Sequence, residues 1–157
     1  MTEQSPIQNL AKSTFVYVTF IRTTPEKLWQ ALLQPEFTQQ YWFGVTMKSD
    51  WKTGSPWRMT LSDGRLGDTG EVLECDPPKR LVLSWRNEFM PELTAEGFTR
   101  CTMELVPDRG AVKLTITHKS DVADSKLIKA VSGGWPTILS NLKSLLETGE
   151  IALTPNP

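Results

Sequence analysis

Apolar and polar positions change period twice along this chain. Residues 13–22, STFVYVTFIR, run with a period of two. Phe15, Tyr17, Thr19 and Ile21 take one side, and Val16, Val18 and Phe20 take the other. The β-branched and aromatic content predicts a strand. Because both of its sides are apolar, part of it is expected to be covered twice. The period then lengthens. In TTPEKLWQALLQP, Leu28, Leu32 and either Trp29 or Ala31 share a helical face. Thr24 is placed to cap this helix, and Pro25 suits its first turn, where a missing N–H costs nothing. Pro35 stops it, and PEFTQQYWFG predicts a second short helix that Gly44 ends.

From Gly44 to about residue 119 the two-residue period returns. GVTMKSDW is a candidate strand. In PWRMTLSDG, Trp57, Met59 and Leu61 oppose Arg58, Thr60 and Ser62, and Asp63–Gly64 marks a turn. TGEVLECDPP is a strand stopped by Pro77–Pro78. Leu81, Leu83 and Trp85 oppose Val82, Ser84 and Arg86. Cys101, Met103 and Leu105 oppose Arg100, Thr102 and Glu104, while Val112, Leu114, Ile116 and His118 oppose Lys113, Thr115 and Thr117. Asp108–Arg109–Gly110 is the hairpin turn between those last two strands. Such alternation predicts an antiparallel sheet with one solvated face and one covered face. Asn87–Phe98 is a loop carrying Phe89, Met90, Leu93 and Phe98, a candidate lid.

The cover is the C-terminal segment. SDVADSKLIKAVSGG predicts a short helix, about Ser125 to Val131, ended by Gly133–Gly134. A new helix is expected from Pro136. Ile138, Leu139, Leu142, Leu145 and Leu146 form its apolar stripe, and Ser140, Asn141, Lys143, Ser144 and Glu147 its polar face. Gly149 is placed as C′. The glycines are expected to turn the chain and permit close backbone approach, with Trp135 at the head of the stripe. The fold class is α+β: a curved antiparallel sheet of six to seven strands around a long C-terminal helix. Residues 1–12 read as a flexible polar arm, 13–150 as one domain and 151–157 as a tail.

Composition narrows the function classes. The chain has 157 residues, a net charge of −1 and a pI near 5.9. It has no basic patch of the kind nucleic acid binding requires. No apolar run is long enough to span a bilayer and no signal peptide is legible, so a cytoplasmic location is expected. Cys75 and Cys101 lie in strand-like segments without metal-ligand spacing, and free thiols are expected. No metal site or cofactor is expected, since one histidine and two scattered cysteines do not make a ligand set.

Catalytic chemistry has little to stand on. His118, the sole histidine, falls on the inward face as a ligand contact or base, against the alternative of a hydrogen-bonded structural residue. Glu74 lies mid-strand: it points inward if Val72 does, outward if Leu73 and Cys75 do, and its charge favours the outward side. The six tryptophans are the strongest signal. Trp29 reads as helix core. Trp57 and Trp85 occupy inward strand positions, while Trp42, Trp51 and Trp135 sit at element ends. They either fill a core or line a pocket.

Three stretches together resemble the START/SRPBCC superfamily, which has the helix-grip fold: TTPEKLWQALLQPEFTQQYW, GEVLECDPPKRLVLSW and GGWPTILSNLKSLLETG. More closely the chain resembles the branch named for the activator of heat-shock protein 90 ATPase. That resemblance implies a cavity between sheet and helix for a small hydrophobic or aromatic molecule, lipid-like or polyketide-like. The expected lining is Trp57, Met59, Trp85, Met103, Ile116, His118, Trp135 and Leu139, with Trp42, Trp51 and Phe89 at the mouth. The alternatives are a stand-alone co-chaperone-like interaction module and a cyclase or hydrolase using His118 or Glu74. The sequence leaves the oligomeric state open: an exposed sheet edge or the open mouth could support a homodimer.

Overall fold

The computed structural model describes residues 11–155. Most of the predicted N-terminal arm, and residues 156–157, lie outside the described residues. Strand β1 (Ser13–Ile21) is followed by helices α1 (Pro25–Leu33) and α2 (Pro35–Tyr41). Strands β2 (Thr46–Ser49), β3 (Pro56–Thr60), β4 (Leu66–Asp76) and β5 (Arg80–Asn87) come next. A one-turn helix, α3 (Pro91–Thr94), separates them from β6 (Thr99–Asp108) and β7 (Ala111–Ser120), and α4 (Lys126–Thr148) closes the fold. The seven strands form one antiparallel sheet in the order β1-β7-β6-β5-β4-β3-β2. This is the α+β, helix-grip arrangement.

Local chemistry accounts for most boundaries. Thr24 accepts a hydrogen bond from the Lys27 N–H (3.2 Å), with Pro25 in the first turn of α1. The β6–β7 hairpin turns through Arg109 (φ 50°) and Gly110 (φ 85°), the left-handed pair that matches strand twist. Cys101, Met103, Leu105, Val112, Leu114 and Ile116 are all buried on the inward face.

Four expectations need correction. First, the C-terminal segment is one 23-residue helix, not two. Gly133, Gly134 and Pro136 lie inside it, and a Cβ on either glycine would meet nothing within 4 Å, so no close approach requires them. Packing of Leu127, Ile128, Trp135, Ile138, Leu139 and Leu142 overrides the poor local propensity. Second, Asn141 is fully buried, not on a solvated face. Its Nδ2 donates to the carbonyls of Tyr41 (3.4 Å) and Leu153 (2.9 Å), and its Oδ1 accepts from the N–H groups of Ala152 and Leu153. It pins the start of the tail to α4.

Third, β1 is an edge strand covered on one side only. Val16, Val18 and Phe20 are 54, 43 and 44% exposed. Fourth, the parity argument at Glu74 fails because β4 carries a bulge: Val72 pairs with Leu83, but Glu74 pairs with Val82. The extra residue flips the face. Val72 is therefore buried, while Glu74 is exposed and ion-paired with Arg80 at 3.3 Å.

Candidate functional site

The space between sheet and α4 is occupied by rings. Trp85 of β5 is the centre. Its ring centroid lies 4.7 Å from Trp57, 5.7 Å from Trp135, 5.5 Å from His118 and 6.4 Å from Trp42. Trp42 and Trp135 are 5.4 Å apart. Met59, Met103, Ile116 and Leu139 are buried around this cluster. The offset and tilted geometries are those that aromatic quadrupoles favour.

One glycine makes room for it. A Cβ at Gly70 would lie 1.8 Å from the Ser84 carbonyl oxygen and 2.6 Å from Trp57 Nε1. Here the β4–β5 ladder is interrupted. The Trp57 indole N–H donates to Ser84 O (2.9 Å), and the Ser84 hydroxyl accepts from the Glu71 N–H (2.8 Å).

His118 is bonded on both ring nitrogens. The Trp135 indole N–H donates to Nδ1 at 3.3 Å, and an indole N–H is only a donor, so Nδ1 is the bare nitrogen. Nε2 then carries the proton and faces Thr99 Oγ1 at 2.8 Å; Thr99 in turn donates to the Trp85 carbonyl. Burial lowers the His118 pKa to about 4. The residue is neutral at pH 7 and already fully bonded.

A second buried titratable residue, one that the sequence reading passed over, meets the Trp85 ring at its N–H. Asp68 is 8% exposed. Its carboxylate accepts from Trp85 Nε1 (2.5 Å) and Asn87 Nδ2 (3.1 Å). Burial, with a smaller contribution from the charge of Glu88, raises its pKa to about 6, against the lowering effect of the Trp85 and Asn87 bonds. Asn87 Oδ1 accepts from the N–H groups of Phe89 and Met90, so Asp68 orients the amide that holds the start of the Asn87–Phe98 loop. The far end of that loop is held by Glu96, whose carboxylate accepts from the Ser125 hydroxyl and the Lys126 N–H at the N-terminus of α4.

The open concavities lie at the rim. A groove of about 610 Å³ runs between β2–β3 and the α1–α2 junction. Leu33, Pro35, Met47, Trp51 and Trp57 are among the residues that line it, Met47 and Trp57 being almost fully buried. Trp51 has a φ of 53°, the left-handed region that bulky residues avoid, and its backbone N–H is held by Ser49 Oγ at 2.9 Å. Trp51 and Trp57 thus share the groove, and Trp57 is also part of the ring cluster. Phe89 is elsewhere. It is exposed, borders a second concavity of about 440 Å³ with Glu88, Pro91, Thr94 and Ala95, and carries Arg65 over its ring at 5.5 Å.

Among the described residues there is no cluster of histidine, cysteine or acidic side chains able to hold a metal ion. Cys101 is buried and Cys75 half-buried, both free. No helix among the described residues is long and apolar enough to cross a membrane.

Comparison with known proteins places this geometry in context. Residues 22–147 match the family described as Activator of Hsp90 ATPase homolog 1-like protein. A crystal structure of a protein from Mesorhizobium loti superposes with a TM-score of 0.74 at 23% identity, covering 88% of this chain and 100% of the other. The solution structure of the Aha1 dimer from Colwellia psychrerythraea gives 0.70 at 18% identity, covering 87% and 98%. A crystal structure of DynU16, a protein of the dynemicin biosynthetic locus, gives 0.69 at 21% identity, covering 88% of this chain and 48% of that one. The search of curated proteins returned no match.

Proposed function

The chain belongs to the family of activator of Hsp90 ATPase homolog 1-like proteins, and from that premise we propose that it binds a small hydrophobic, ring-containing molecule in the groove between β2–β3 and the α1–α2 junction. Trp51, Trp57, Met47, Leu33 and Pro35 are among the residues that line it. The observation that carries this reading is Trp51. A large ring is held half-buried beside an open apolar groove, at a backbone angle that costs about 1–2 kcal/mol for an L-residue. Strain of that kind persists where the surroundings over-determine it, and it clusters at ligand sites.

The test is a titration with the neutral dye N-phenyl-1-naphthylamine. Saturable binding is expected, weakened about tenfold or more by Trp51→Ala, the loss of one ring contact, and unaffected by Phe89→Ala in the second concavity. Equal binding by Trp51→Ala removes the reading.

A second reading, a protein-contact module, is favoured by the exposed strip Val16, Val18 and Phe20 on the outer face of β1. Its test is the ATPase rate of Hsp90 with the chain added. A rate unchanged by the chain, and identical with Val18→Asp, sets it aside.

A further inference from the structure

The two edges of the sheet differ. β2, at one edge, is four residues long and carries Lys48. A short strand and an edge lysine are both features that keep an edge from pairing with another chain. β1, at the other edge, is nine residues long, STFVYVTFI, and none of them is charged. Residues of an antiparallel strand alternate between turning their N–H and C=O to the neighbouring strand and turning them away. In β1 the contacts of α4 fix which do which. The Phe20 carbonyl accepts from Lys143 Nζ, and the Arg22 N–H donates to Glu147 Oε2 at 2.8 Å. The even-numbered residues of β1 therefore turn their backbone groups away from β7. Among the described residues those of Thr14, Val16 and Val18 have no partner. Lys143 and Glu147 close the edge from Phe20 onward. Just before β1 the alternation breaks, and the Lys12 N–H turns back to the Ser120 carbonyl at 2.8 Å. Between these two ends lies an open length of backbone, Thr14 to Val18.

We propose that β1 pairs antiparallel with β1 of a second copy of this chain, about a two-fold axis at Val16. Val16 then lies opposite Val16, and Thr14 of each copy opposite Val18 of the other. Their free N–H and C=O groups bond across the axis, as in strand addition to an open sheet edge. The segment is its own complement. It is uncharged throughout, so self-pairing sets no like charges opposite one another. On the outer face the exposed Val16 and Val18 meet β-branched side chains of the other copy. On the inner face Phe15 and Tyr17 are half-buried and stacked, with centroids 6.4 Å apart. They come opposite Tyr17 and Phe15 of the second copy, which lengthens the stack. The contact is isologous and closes at two copies. One short strand from each copy falls in the small interface class, below about 1,200 Å², so a reversible dimer is expected, with a dissociation constant on the order of 10–100 µM. This interface is independent of the groove, which lies at the opposite edge of the sheet.

The test is sedimentation velocity on the full chain, from about tenfold below to about tenfold above that constant. A shift from monomer to dimer is expected across the range. Val16→Lys keeps its side chain on the solvated face and sets two ammonium groups opposite each other at the axis, so it should weaken the dimer about tenfold or more. Amide exchange on the unsubstituted chain reads the register directly. Val16 and Val18 amides should slow as the dimer fills, while those of Tyr17 and Thr19, which turn to β7, should not change. A dimer that leaves the Val16 and Val18 amides unprotected, or that Val16→Lys does not weaken, pairs elsewhere and overturns the proposal. A chain that stays monomeric at every concentration overturns it as well, whether or not the edge then takes up an extended peptide of another protein.

Discussion

Acid should act on this fold through two buried groups that oppose each other. Asp68 has an ordinary value of 3.8 and a folded value of about 6. Its folded pKa is raised, so its contribution to stability is fully present below about pH 3.8 and is lost as pH rises through 6. His118 has an ordinary value of 6.5 and a folded value of about 4. Its folded pKa is depressed, so its contribution is present above 6.5 and lost as pH falls through 4. Glu88, Glu96 and Glu147 are held below their ordinary 4.5, so their contributions are lost as pH falls through and below that value and touch only the acid end of the window. Between about pH 6.5 and 4.5, Asp68 and His118 dominate the slope. At about 1.36 kcal/mol for each pH unit of displacement, integration over that window gives about 2 kcal/mol for each, with opposite signs.

The parent protein is therefore expected to show nearly constant stability across the window, and single substitutions should unmask the slopes. Asp68→Asn leaves His118 alone and should lose about 2 kcal/mol on going from pH 6.5 to 4.5. His118→Gln leaves Asp68 alone and should gain about 2 kcal/mol over the same range. The assay is urea unfolding followed by tryptophan emission at several pH values, with the slope against urea checked for constancy. Each substitution also changes stability at every pH, because hydrogen bonds to Trp85, Asn87, Trp135 or Thr99 are altered. Only the slopes against pH report the two titrations. Three parallel pH profiles would refute it.

Gly70→Ala should prevent folding or cost more than about 3 kcal/mol, since the added Cβ would sit 1.8 Å from the Ser84 carbonyl oxygen; soluble yield and urea midpoint decide it. Asn141→Leu should cost about 2–3 kcal/mol by stranding the Tyr41 and Leu153 carbonyls and the N–H groups of Ala152 and Leu153, with faster amide exchange at residues 152 and 153. Pro136→Ala should stabilise the protein by about 1–3 kcal/mol, because it returns an N–H to the middle of α4; a thermal midpoint that does not rise contradicts this.

The sheet was legible because each strand alternates and its turns carry their own residues, as at Arg109–Gly110. The continuity of α4 was also written in the sequence. Ile128, Val131, Trp135, Ile138, Leu142 and Leu145 follow one another at three and four residues, without a slip across the glycines. That register outweighs two glycines and a proline when one face is buried along its whole length. The bulge in β4 left no such trace, since nothing in GEVLECD marks an extra residue. Asp68 was missed for a different reason. It sits between glycines beside an Asp-Gly turn, and Trp85, the donor that explains its burial, is seventeen residues away. Of the named site residues, the structure brings Trp42, Trp57, Trp85, His118 and Trp135 into one cluster and sets Trp51 and Phe89 at two separate concavities.

That separation bears on where recognition belongs. Inside the cluster three of the four indole N–H groups are committed: Trp57 to the Ser84 carbonyl, Trp85 to Asp68 and Trp135 to His118. A guest placed among them would have to break one of these bonds and leave a buried donor unpaired, at about 1–3 kcal/mol each. It would also have to separate rings already in contact. At the rim neither cost arises. Among the described residues the Trp51 indole N–H has no protein partner, its ring is half-exposed, and the groove beside it is already open. A ligand lying there gains apolar contact with Trp51 and one indole donor without disturbing the interior. This is why the proposed site stops at the outermost ring of the cluster instead of entering it.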